Sequence, residues 1–340
     1  MTTAPSIEAI FDHFSKKKVL IVGDVMVDAY LWGNVERISP ESPVPIVEIN
    51  ETEDRLGGAA NVALNVKALD AEPILCSVIG EDREGQIFKK LLSEKDLSDE
   101  GIIISDERPT TVKSRILCRN HQMLRFDREI ISGISPTLER KLIAAVEKIL
   151  NNHHIDVVII QDYNKGVLTP EVIRGVISAA TARNIPVVVD PKKKNFLEYK
   201  NVALFKPNLR ELADGLNIDL NKADRTSLNE ASSILKSKIN NAFTMITLSE
   251  SGIYYDDGNV QQILPAHVRN ISDVSGAGDT VISVAALAIS ANLSSYLIAE
   301  LANLAGGLVC EEVGVIPVDK QKLMDEAKNS LRDKSQHFTS

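Results

Sequence analysis

The chain has 340 residues, of which 44% are hydrophobic and 25% are charged, a balance typical of a soluble globular protein. Acidic residues outnumber basic ones by 47 to 38, and the resulting net charge of −9 disfavours a general attraction to nucleic acid or to an anionic membrane surface. The 3 cysteines are too few and too widely spaced for a disulfide framework, and no apolar run is long enough to cross a bilayer. We therefore expect a cytoplasmic protein with neither a nucleic-acid nor a membrane partner.

Apolar runs of strand length alternate with amphipathic helical stretches from about residue 18 onward. The predicted strands are Val19–Val22, Ile74–Val78, Val157–Ile160, Val187–Val189, Val202–Phe205 and Met245–Leu248. The predicted helices are Ala59–Leu69, Leu138–Leu150, Pro170–Arg183, Leu228–Lys238 and Gly278–Ala291. Continuous Val, Ile and Leu runs are typical of strands that helices cover on both faces, so the pattern predicts an α/β fold with a mostly parallel sheet.

Two stretches, at about residues 25–53 and 110–128, interrupt this alternation. The first is rich in proline and predicts short strands at Ala29–Trp32 and Ile46–Ile49. The second predicts strands at Thr111–Leu117 and Met123–Phe126, joined by a polar turn at Arg119–Gln122. We expect these pieces to form a small β-sheet outside the main sheet, placed to close over a site or to pair with another subunit.

The strongest chemical signal is DVSGAGDT, residues Asp273–Thr280, directly before an apolar helix. Gly276 and Gly278 on either side of Ala277 let backbone N–H groups converge at a helix N-terminus, which suits phosphoryl oxygens. Asp279 would stand beside this seat, where a carboxylate can accept the proton of an attacking hydroxyl. A glycine turn with an aspartate at the start of a helix would explain the same residues by structure alone.

Two more polar groups surround the first predicted strand. Gly57 and Gly58 allow a ligand to approach the backbone closely, and Asn61 adds an amide on the first helical turn, although a plain helix cap fits as well. Asp24 and Asp28 follow the strand, where carboxylates can accept hydrogen bonds from sugar hydroxyls or can simply be surface charges. No GxGxxG motif follows the strand, which weakens a dinucleotide-binding interpretation.

A fourth group lies after the strand that ends at Phe205. Asn208 and Glu211 are three residues apart, so on one helical face they can hold water around a Mg²⁺ ion bound to phosphates. A capping box, with Asn208 at the N-cap, predicts the same pair of residue types.

Taken together, these motifs resemble the ribokinase/PfkB family of sugar kinases. GGAANVA at residues 57–63 is similar to the first signature of that family and DVSGAGDT to the second, with PNxxE between them. The resemblance extends over about residues 18–318. It implies a ribokinase-like three-layer α/β/α fold, a single kinase domain over residues 1–340, a β-sheet lid, and the use of ATP and Mg²⁺.

Further segments look like the kinase part of D-glycero-β-D-manno-heptose 7-phosphate kinases. They are GDVMVDAYLWG, RISPESPVPIV, KSRILCRNHQMLRFD, DYNKG and VDPK. This resemblance implies transfer of phosphate from ATP to the anomeric hydroxyl, giving heptose 1,7-bisphosphate on the route to ADP-heptose and the lipopolysaccharide core. In many bacteria such a kinase is fused to an adenylyltransferase with an HxGH motif. No HxGH occurs here, so we expect a kinase alone, with a separate adenylyltransferase acting downstream, unless this sequence is a piece of a longer bifunctional protein.

The resemblance also assigns roles to individual positions. Asp279 corresponds to the catalytic base, and Gly276, Ala277 and Gly278 to the anion hole. The expected sugar ligands are Asp28, Asp24, Gly57, Gly58 and Asn61. Asn208 and Glu211 correspond to the magnesium–phosphate motif, and the expected nucleotide contacts are Thr247, Ser249, Gly252 and Asn303. The substrate's own phosphate needs cations, for which the candidates are Arg115, Arg119, Arg125 and Lys165.

Other interpretations stay open at this stage. A ribokinase or a 1-phosphofructokinase-like enzyme would differ only in its pocket residues, and a sugar-sensing relative would lack turnover altogether. A nicotinamide-dependent oxidoreductase is disfavoured by the missing glycine fingerprint. The apolar residues Tyr30, Leu31 and Trp32 predict a homodimer through the lid, or else packing within one chain.

Overall fold

The computed structural model describes residues 6–118, 121–220, 224–267 and 269–337, with side chains described as far as residue 330. The strands, in chain order, are β1 (Lys18–Gly23), β2 (Val25–Ile38), β3 (Pro45–Gly58), β4 (Glu72–Gly80), β5 (Gly101–Ser105), β6 (Val112–Cys118), β7 (His121–Arg128), β8 (Val157–Gln161), β9 (Val187–Asp190), β10 (Leu204–Phe205), β11 (Phe243–Thr247), β12 (Ile253–Asp256) and β13 (Gln261–Leu264).

The helices follow the same convention. They are α1 (Ile7–Phe14), α2 (Ala59–Ala68), α3 (Arg83–Glu94), α4 (Pro136–Asn152), α5 (Pro170–Thr181), α6 (Leu209–Leu216), α7 (Arg225–Ile239), α8 (Ala277–Ser290), α9 (Ser295–Val309) and α10 (Lys320–His337). Many begin at a residue whose side chain accepts a backbone N–H of the first turn, as Ser135 does for α4 and Thr169 for α5. These caps fix where each helix begins relative to the strand before it.

The main sheet has the strand order β13-β12-β11-β10-β9-β8-β1-β4-β5. The pairs from β11 to β5 are parallel, whereas β12 and β13 add an antiparallel edge. After β1 the chain builds β4 and β5 on one side and then returns to place β8 on the other. The direction of winding therefore reverses between β1 and β8, and in open α/β sheets ligands bind at such a reversal, beyond the carboxyl ends of the strands.

Successive residues of a central strand point into two different cores. Val19 and Ile21 of β1 pack in the core that includes α2, α8 and α9, whereas Leu20 and Val22 pack in the core that includes α4, α5 and α7. A strand buried on both faces needs apolar residues at every position, and this is why its sequence shows no alternation. The predicted three-layer α/β/α architecture is confirmed.

A second sheet, which we call the lid, has the order β3-β2-β6-β7. The two segments predicted to build it do so, but β2 and β3 are long continuous strands of 14 residues each rather than short pieces. Pro40 and Pro43 lie in the turn between β2 and β3, and Pro45 is the first residue of β3, so no proline interrupts either strand. Gln122 belongs to β7 rather than to a turn, and Arg119 lies outside the described residues.

The predicted helices and main-sheet strands are present with small shifts at their ends; for example, β10 begins at Leu204 rather than at residue 202. The predicted elements do not include β5, β12 and β13, or α1, α3, α9 and α10, and α6 was indicated only by the possible capping box at Asn208 and Glu211. Among the described residues, no helix combines the length and the hydropathy needed to span a membrane.

Candidate active site

Polar side chains from five neighbouring strands meet at the carboxyl edge of the main sheet. Asp24 directly follows β1, Gln161 ends β8, Asp190 ends β9, Lys206 directly follows β10, and Thr247 ends β11. The register places Gly23 opposite Gln161 and Gln161 opposite Asp190, so these positions lie side by side. The parallel topology thus gathers residues that are far apart in the sequence into one row.

Asp279 lies in the first turn of α8, and its buried carboxylate faces this row. Its Oδ2 accepts a hydrogen bond from Asn61 Nδ2 at 2.7 Å, and its Oδ1 accepts one from the Tyr163 hydroxyl at 2.5 Å and one from Gln161 Nε2 at 3.2 Å. Burial raises the pKa of Asp279 to about 6, although the hydrogen bonds from Asn61 and Tyr163 oppose this rise. A carboxylate with such a pKa is well matched to accepting a proton near neutral pH.

The contact between Asp279 and Asn61 joins the two glycine motifs. Asn61 is in the first turn of α2, which begins directly after Gly57 and Gly58, and its amide reaches across to α8. Two motifs that are separate signals in the sequence are therefore in direct contact in the structure.

The turn before α8 has the shape expected of an anion seat. Gly276 is the N-cap and has a φ of 82°, a backbone conformation that favours glycine. A Cβ added at Gly278 would lie 3.7 Å from both Asp190 Oδ2 and Lys206 Nζ. The buried ammonium of Lys206 is 3.0 Å from Asp190, so a fixed positive charge lies beside the N-terminus of α8.

Asp24 has a different role from the predicted one. Its side chain is fully buried, and its two carboxylate oxygens accept the backbone N–H groups of Tyr163, Lys165 and Val167 at 2.9–3.0 Å. These bonds hold the DYNKG loop against β1. We therefore replace the prediction that Asp24 contacts a sugar with a structural role for this residue.

Asp28 lies on the lid, where it is tied to Gly57 and Arg115. Arg115 forms an ion pair with Asp28 Oδ1 at 2.6 Å. A Cβ added at Gly57 would approach Asp28 Oδ2 to 2.2 Å, so glycine is what allows the carboxylate to lie there. The guanidinium groups of Arg55 and Arg115 stand 4.7 and 5.2 Å from the centroid of the Tyr30 ring. Tyr30 is therefore buried within its own chain, as the second of the two alternatives for this residue expects.

The other predicted cations pair with acids of the same chain. Lys165 Nζ lies 2.6 Å from Glu129, and Arg125 pairs with Asp127 at 2.7 Å on the exposed strand β7. Lys113 on β6 was not predicted, yet its Nζ stands 5.3 Å from the centroid of the Tyr163 ring, and burial lowers its pKa. On β6 the alternation of a strand sends Lys113 and Arg115 to the same face.

Asn208 and Glu211 form the capping box at the start of α6. Asn208 Oδ1 accepts the Glu211 N–H at 2.8 Å, and Glu211 Oε2 accepts the Asn208 N–H at 2.9 Å. The other oxygen of Glu211 pairs with Lys192 Nζ. Burial opposes the charge of Lys192, but Asp190 and Glu211 outweigh it and raise the pKa of Lys192.

The predicted nucleotide contacts fall into two neighbouring groups. Thr247 forms a parallel bridge with Asn208, next to the capping box, and Ser249 follows with a φ of 56°. Gly252 and Asn303 both lie against the backbone of residues 264–266. A Cβ added at Gly252 would clash with Leu264 O at 2.0 Å, and Asn303 Nδ2 donates to Pro265 O at 2.8 Å.

Lys192 and Tyr163 connect these groups to Asp279. Lys192 pairs with Glu211, its ammonium stands 5.8 Å from the centroid of the Tyr163 ring, and the Tyr163 hydroxyl bonds to Asp279. Sequence reasoning missed Gln161, Tyr163, Lys192 and Lys206, although Tyr163 and Lys192 lie within the quoted segments DYNKG and VDPK. The available signal was their common position at or just after the end of a parallel strand.

The assembled groups suit one kind of chemistry. A buried carboxylate able to accept a proton directly follows the glycine turn Gly276–Gly278, and the lid carboxylate of Asp28 lies against Gly57, at the same end of α2 as Asn61. Phosphoryl transfer to a hydroxyl needs these two parts together: a seat for phosphoryl oxygens and a base for the attacking oxygen.

Comparison with known proteins supports this chemistry. The domain described as pfkB family carbohydrate kinase matches residues 16–322. A protein named Bifunctional protein HldE from Sulfurimonas denitrificans is 42% identical over 315 residues, which are 92% of this chain and 65% of that protein. A protein of the same name from Helicobacter pylori strain 26695 is 39% identical over 299 residues, 88% of this chain and 64% of that protein. The chain thus spans slightly less than two thirds of the length of these curated relatives.

Solved structures of low sequence identity share the fold. Phosphofructokinase-2 from Escherichia coli in complex with fructose-6-phosphate superposes with a TM-score of 0.74 at 18% identity, covering 92% of this chain and 99% of that one. Ribokinase from Arabidopsis thaliana complexed with ribose and ATP superposes with a TM-score of 0.70 at 16% identity, covering 91% and 99%. The predicted ribokinase-like fold is confirmed by these likenesses. From the match over residues 16–322, the chain belongs to the pfkB family of carbohydrate kinases.

Proposed function

We propose that this protein transfers the γ-phosphoryl group of ATP to the anomeric hydroxyl of D-glycero-β-D-manno-heptose 7-phosphate, giving heptose 1,7-bisphosphate. The observation that carries the proposal is the hydrogen bond of 2.7 Å between Asn61 and Asp279, which joins the sugar-side glycine turn to the base and its anion seat. The choice of sugar is supported by the resemblance of GDVMVDAYLWG, DYNKG and VDPK to heptose kinases. The identity of 42% with a protein named Bifunctional protein HldE supports it further.

In the proposed step, Asp279 accepts the proton of the anomeric hydroxyl as that oxygen attacks the γ-phosphorus. A new O–P bond forms, the bond between the γ-phosphorus and the bridging oxygen breaks, and ADP leaves. The backbone N–H groups of Gly276, Ala277 and Gly278 would hold the oxygens of the transferring group, and Lys206 would add positive charge beside them. Base catalysis of this kind contributes about 10²–10⁴ in rate.

The residues fit a Mg²⁺ ion carried by the polyphosphate. Glu211 already bonds Lys192 and the Asn208 N–H, so it suits an outer role in which it and Asn208 hold water molecules of the ion. Among the described residues, the buried Asp190 Oδ1 has no hydrogen-bond partner and offers an oxygen of the type that Mg²⁺ prefers. When bound, the ion would neutralise charge on the phosphates. Thr247, Ser249, Gly252 and Asn303 would line the place of the nucleoside.

We propose that the lid holds the sugar phosphate. Asp28 and the turn from Gly57 to Asn61 would orient the sugar, and Arg115 would fix Asp28 while presenting its remaining N–H groups to the phosphate. Lys165 and Lys113 border the same space from the DYNKG loop and from β6. Arg125 is a weaker candidate because its guanidinium lies on an exposed strand and is held by Asp127.

We propose a homodimer in which the lids of two copies pack together. The exposed apolar residues that support it lie elsewhere on the lid than Tyr30. Met123, Leu124 and Phe126 of β7 are 44%, 55% and 50% exposed, Ile38 at the end of β2 is 60% exposed, and Ile49 of β3 is 38% exposed. A strand that exposes three large apolar side chains is unfavourable in water and suits a self-complementary interface.

Two aspects of the cellular setting belong to the same proposal. The buried thiols of Cys76, Cys118 and Cys310 favour a reducing compartment, and we place the reaction in the cytoplasm. Heptose 1,7-bisphosphate leads toward ADP-heptose, and an adenylyltransferase would have to act downstream.

Mass spectrometry of reaction products tests the proposed activity. The protein is incubated with ATP, Mg²⁺ and one sugar at a time: the heptose 7-phosphate, the unphosphorylated heptose, fructose 6-phosphate and ribose. We expect a bisphosphate from the heptose 7-phosphate and a far lower kcat/KM for the same sugar without its phosphate, because the lid cations then lack their partner. A faster reaction with ribose or fructose 6-phosphate would assign a different sugar kinase, and no phosphoryl transfer to any sugar would favour a sensing protein.

A further inference from the structure

The hydroxyl of Tyr163 donates to the proton acceptor of the proposed reaction. Its oxygen lies 2.5 Å from Asp279 Oδ1, shorter than the bonds to Asp279 from Asn61 at 2.7 Å and Gln161 at 3.2 Å. Burial raises the pKa of the Tyr163 phenol well above its ordinary value, and Asp279 adds to the rise. The phenol therefore keeps its proton and acts as a donor throughout the neutral range.

The backbone around Tyr163 is built to hold this position. Asp24 accepts the N–H groups of Tyr163, Lys165 and Val167, and it is itself fully buried. Asn164 and Gly166 adopt φ angles of 55° and 88°, which turn the loop tightly between those bonds. The side chain thus comes from an anchored loop, not from a mobile one.

We propose that Tyr163 is a positioning residue that keeps the Asp279 carboxylate ionised and fixes the direction of its Oδ1. This inference rests on the proposed role of Asp279 as the base. A hydrogen bond to the charged form of a carboxylate favours that form, and it offsets the burial that would otherwise keep Asp279 protonated. Without the hydroxyl, a larger fraction of the protein would hold a protonated carboxyl, which cannot accept the proton of the sugar.

Other charged groups face the same pair and must stay constant in any test. Those nearest Asp279 are Asp190 and Lys206, and those around the Tyr163 ring are Lys113, Lys192 and Asp28. A Tyr163→Phe change leaves all of them in place and removes a single oxygen.

The test compares kcat/KM against pH for the wild type and Tyr163→Phe. The base works only when it is ionised, so kcat/KM falls on the acidic side of the profile as the pH drops through the pKa of Asp279. Removing a donor to the ionised form raises that pKa, and the acidic limb of the profile therefore moves to higher pH. We expect a shift of about one pH unit, the size associated with one hydrogen bond to a charged group, with the KM for ATP unchanged. A limb that stays at the wild-type position would overturn the proposal.

Tyr199→Phe provides a matched control. The Tyr199 hydroxyl is also buried and donates to an aspartate, Asp162 Oδ2 at 2.7 Å, but it does not contact Asp279. Tyr199→Phe should leave the acidic limb in place even if it lowers stability, so a shift equal to that of Tyr163→Phe would mean a general structural effect and would contradict the inference. Should Tyr163→Phe fail to fold, Tyr163→Met removes the same hydroxyl with a more adaptable side chain.

A second readout separates this inference from the proposed function. The carboxyl carbons of ¹³C-labelled aspartates are titrated by NMR, and Asp279 is identified by the signal missing from Asp279→Asn. The Asp279 midpoint should rise in Tyr163→Phe whether or not any sugar is phosphorylated. A wild type without kinase activity would refute the proposed function alone, and an unchanged midpoint would refute the role of Tyr163 alone.

Discussion

The floor of the site and the lid differ in how far their polar side chains are buried and in what holds them. The floor, which we define as Asn61, Gln161, Tyr163, Asp190 and Asp279, consists of largely buried side chains that bond to one another at 2.5–3.2 Å. The lid makes its polar contacts through ion pairs that are often exposed, such as Arg125–Asp127, and it leaves apolar side chains in water.

This difference indicates which part of the site must hold the reacting groups in precise positions. Proton transfer and phosphoryl transfer depend on sub-ångström placement, and buried networks in a rigid sheet supply it. Substrate entry and release need a surface that can move, and a single four-stranded sheet of partly exposed strands suits that need. The comparison predicts that perturbing the floor changes stability and rate strongly, whereas perturbing the lid changes substrate affinity and assembly.

The largest effect is expected from the buried ion pair beside the N-terminus of α8, where we propose that phosphoryl oxygens bind. Lys206→Met removes the ion-pair partner of the buried Asp190 carboxylate, which should lower the free energy of unfolding by about 3–5 kcal/mol. Chemical denaturation measures this change. Lys16→Met is the control, because its pair with Asp12 is exposed and such pairs contribute about 0–1 kcal/mol. Equal losses in the two variants would contradict the distinction between floor and surface.

A smaller effect is expected from Arg115 on the lid. Arg115→Met removes the partner of Asp28 and a cation from the sugar side. The kcat/KM for the sugar phosphate should therefore fall about 10–100-fold, the loss expected when one hydrogen bond to a charged group, worth about 1.5–3 kcal/mol, is removed. The KM for ATP should stay constant. Arg125→Met, on the neighbouring strand and already paired outward with Asp127, serves as the control and should change kcat/KM much less. Equal effects at the two positions would leave no special role for Arg115.

The smallest effect on stability is expected at the exposed face of β7. Leu124→Ser with Phe126→Ser should change the stability of an isolated chain by about 0.5 kcal/mol or less per site, because both side chains are already exposed. The same pair should convert a dimer into a monomer in light scattering. A wild type that is monomeric at all concentrations would contradict the proposed lid interface.

Of the floor residues, Asn61 and Asp279 were predictable because each belongs to a local sequence motif, whereas Gln161, Tyr163 and Asp190 were not assigned to the site. Two glycine motifs before helices marked Asp279 and Asn61, and continuous apolar runs marked β1, β8 and β9. Tyr163 and Lys206 could not be assigned a role in the same way, since that role depends on which strand ends are neighbours in space. Asp24 was misassigned for a related reason: a carboxylate after a strand looks the same in sequence whether it binds a ligand or three backbone N–H groups.

The lid was harder to predict in detail. Most of β3 and all of β7 are exposed, so neither strand carries the alternation that marks a half-buried strand.

The edge of the main sheet was also hard to predict. The antiparallel strands β12 and β13 are only four residues long each, which is too short for a clear pattern. Pairing with neighbouring strands, which no local window contains, determines these elements.

The most direct test of the account is the turnover of Asp279→Asn, which keeps the size of the side chain and removes the proton acceptor. We predict that kcat falls by about 10²–10⁴ while the Kd for ATP, measured by titration calorimetry, stays within a few-fold of the wild type. Turnover close to that of the wild type would show that Asp279 is not the base and would contradict the central claim.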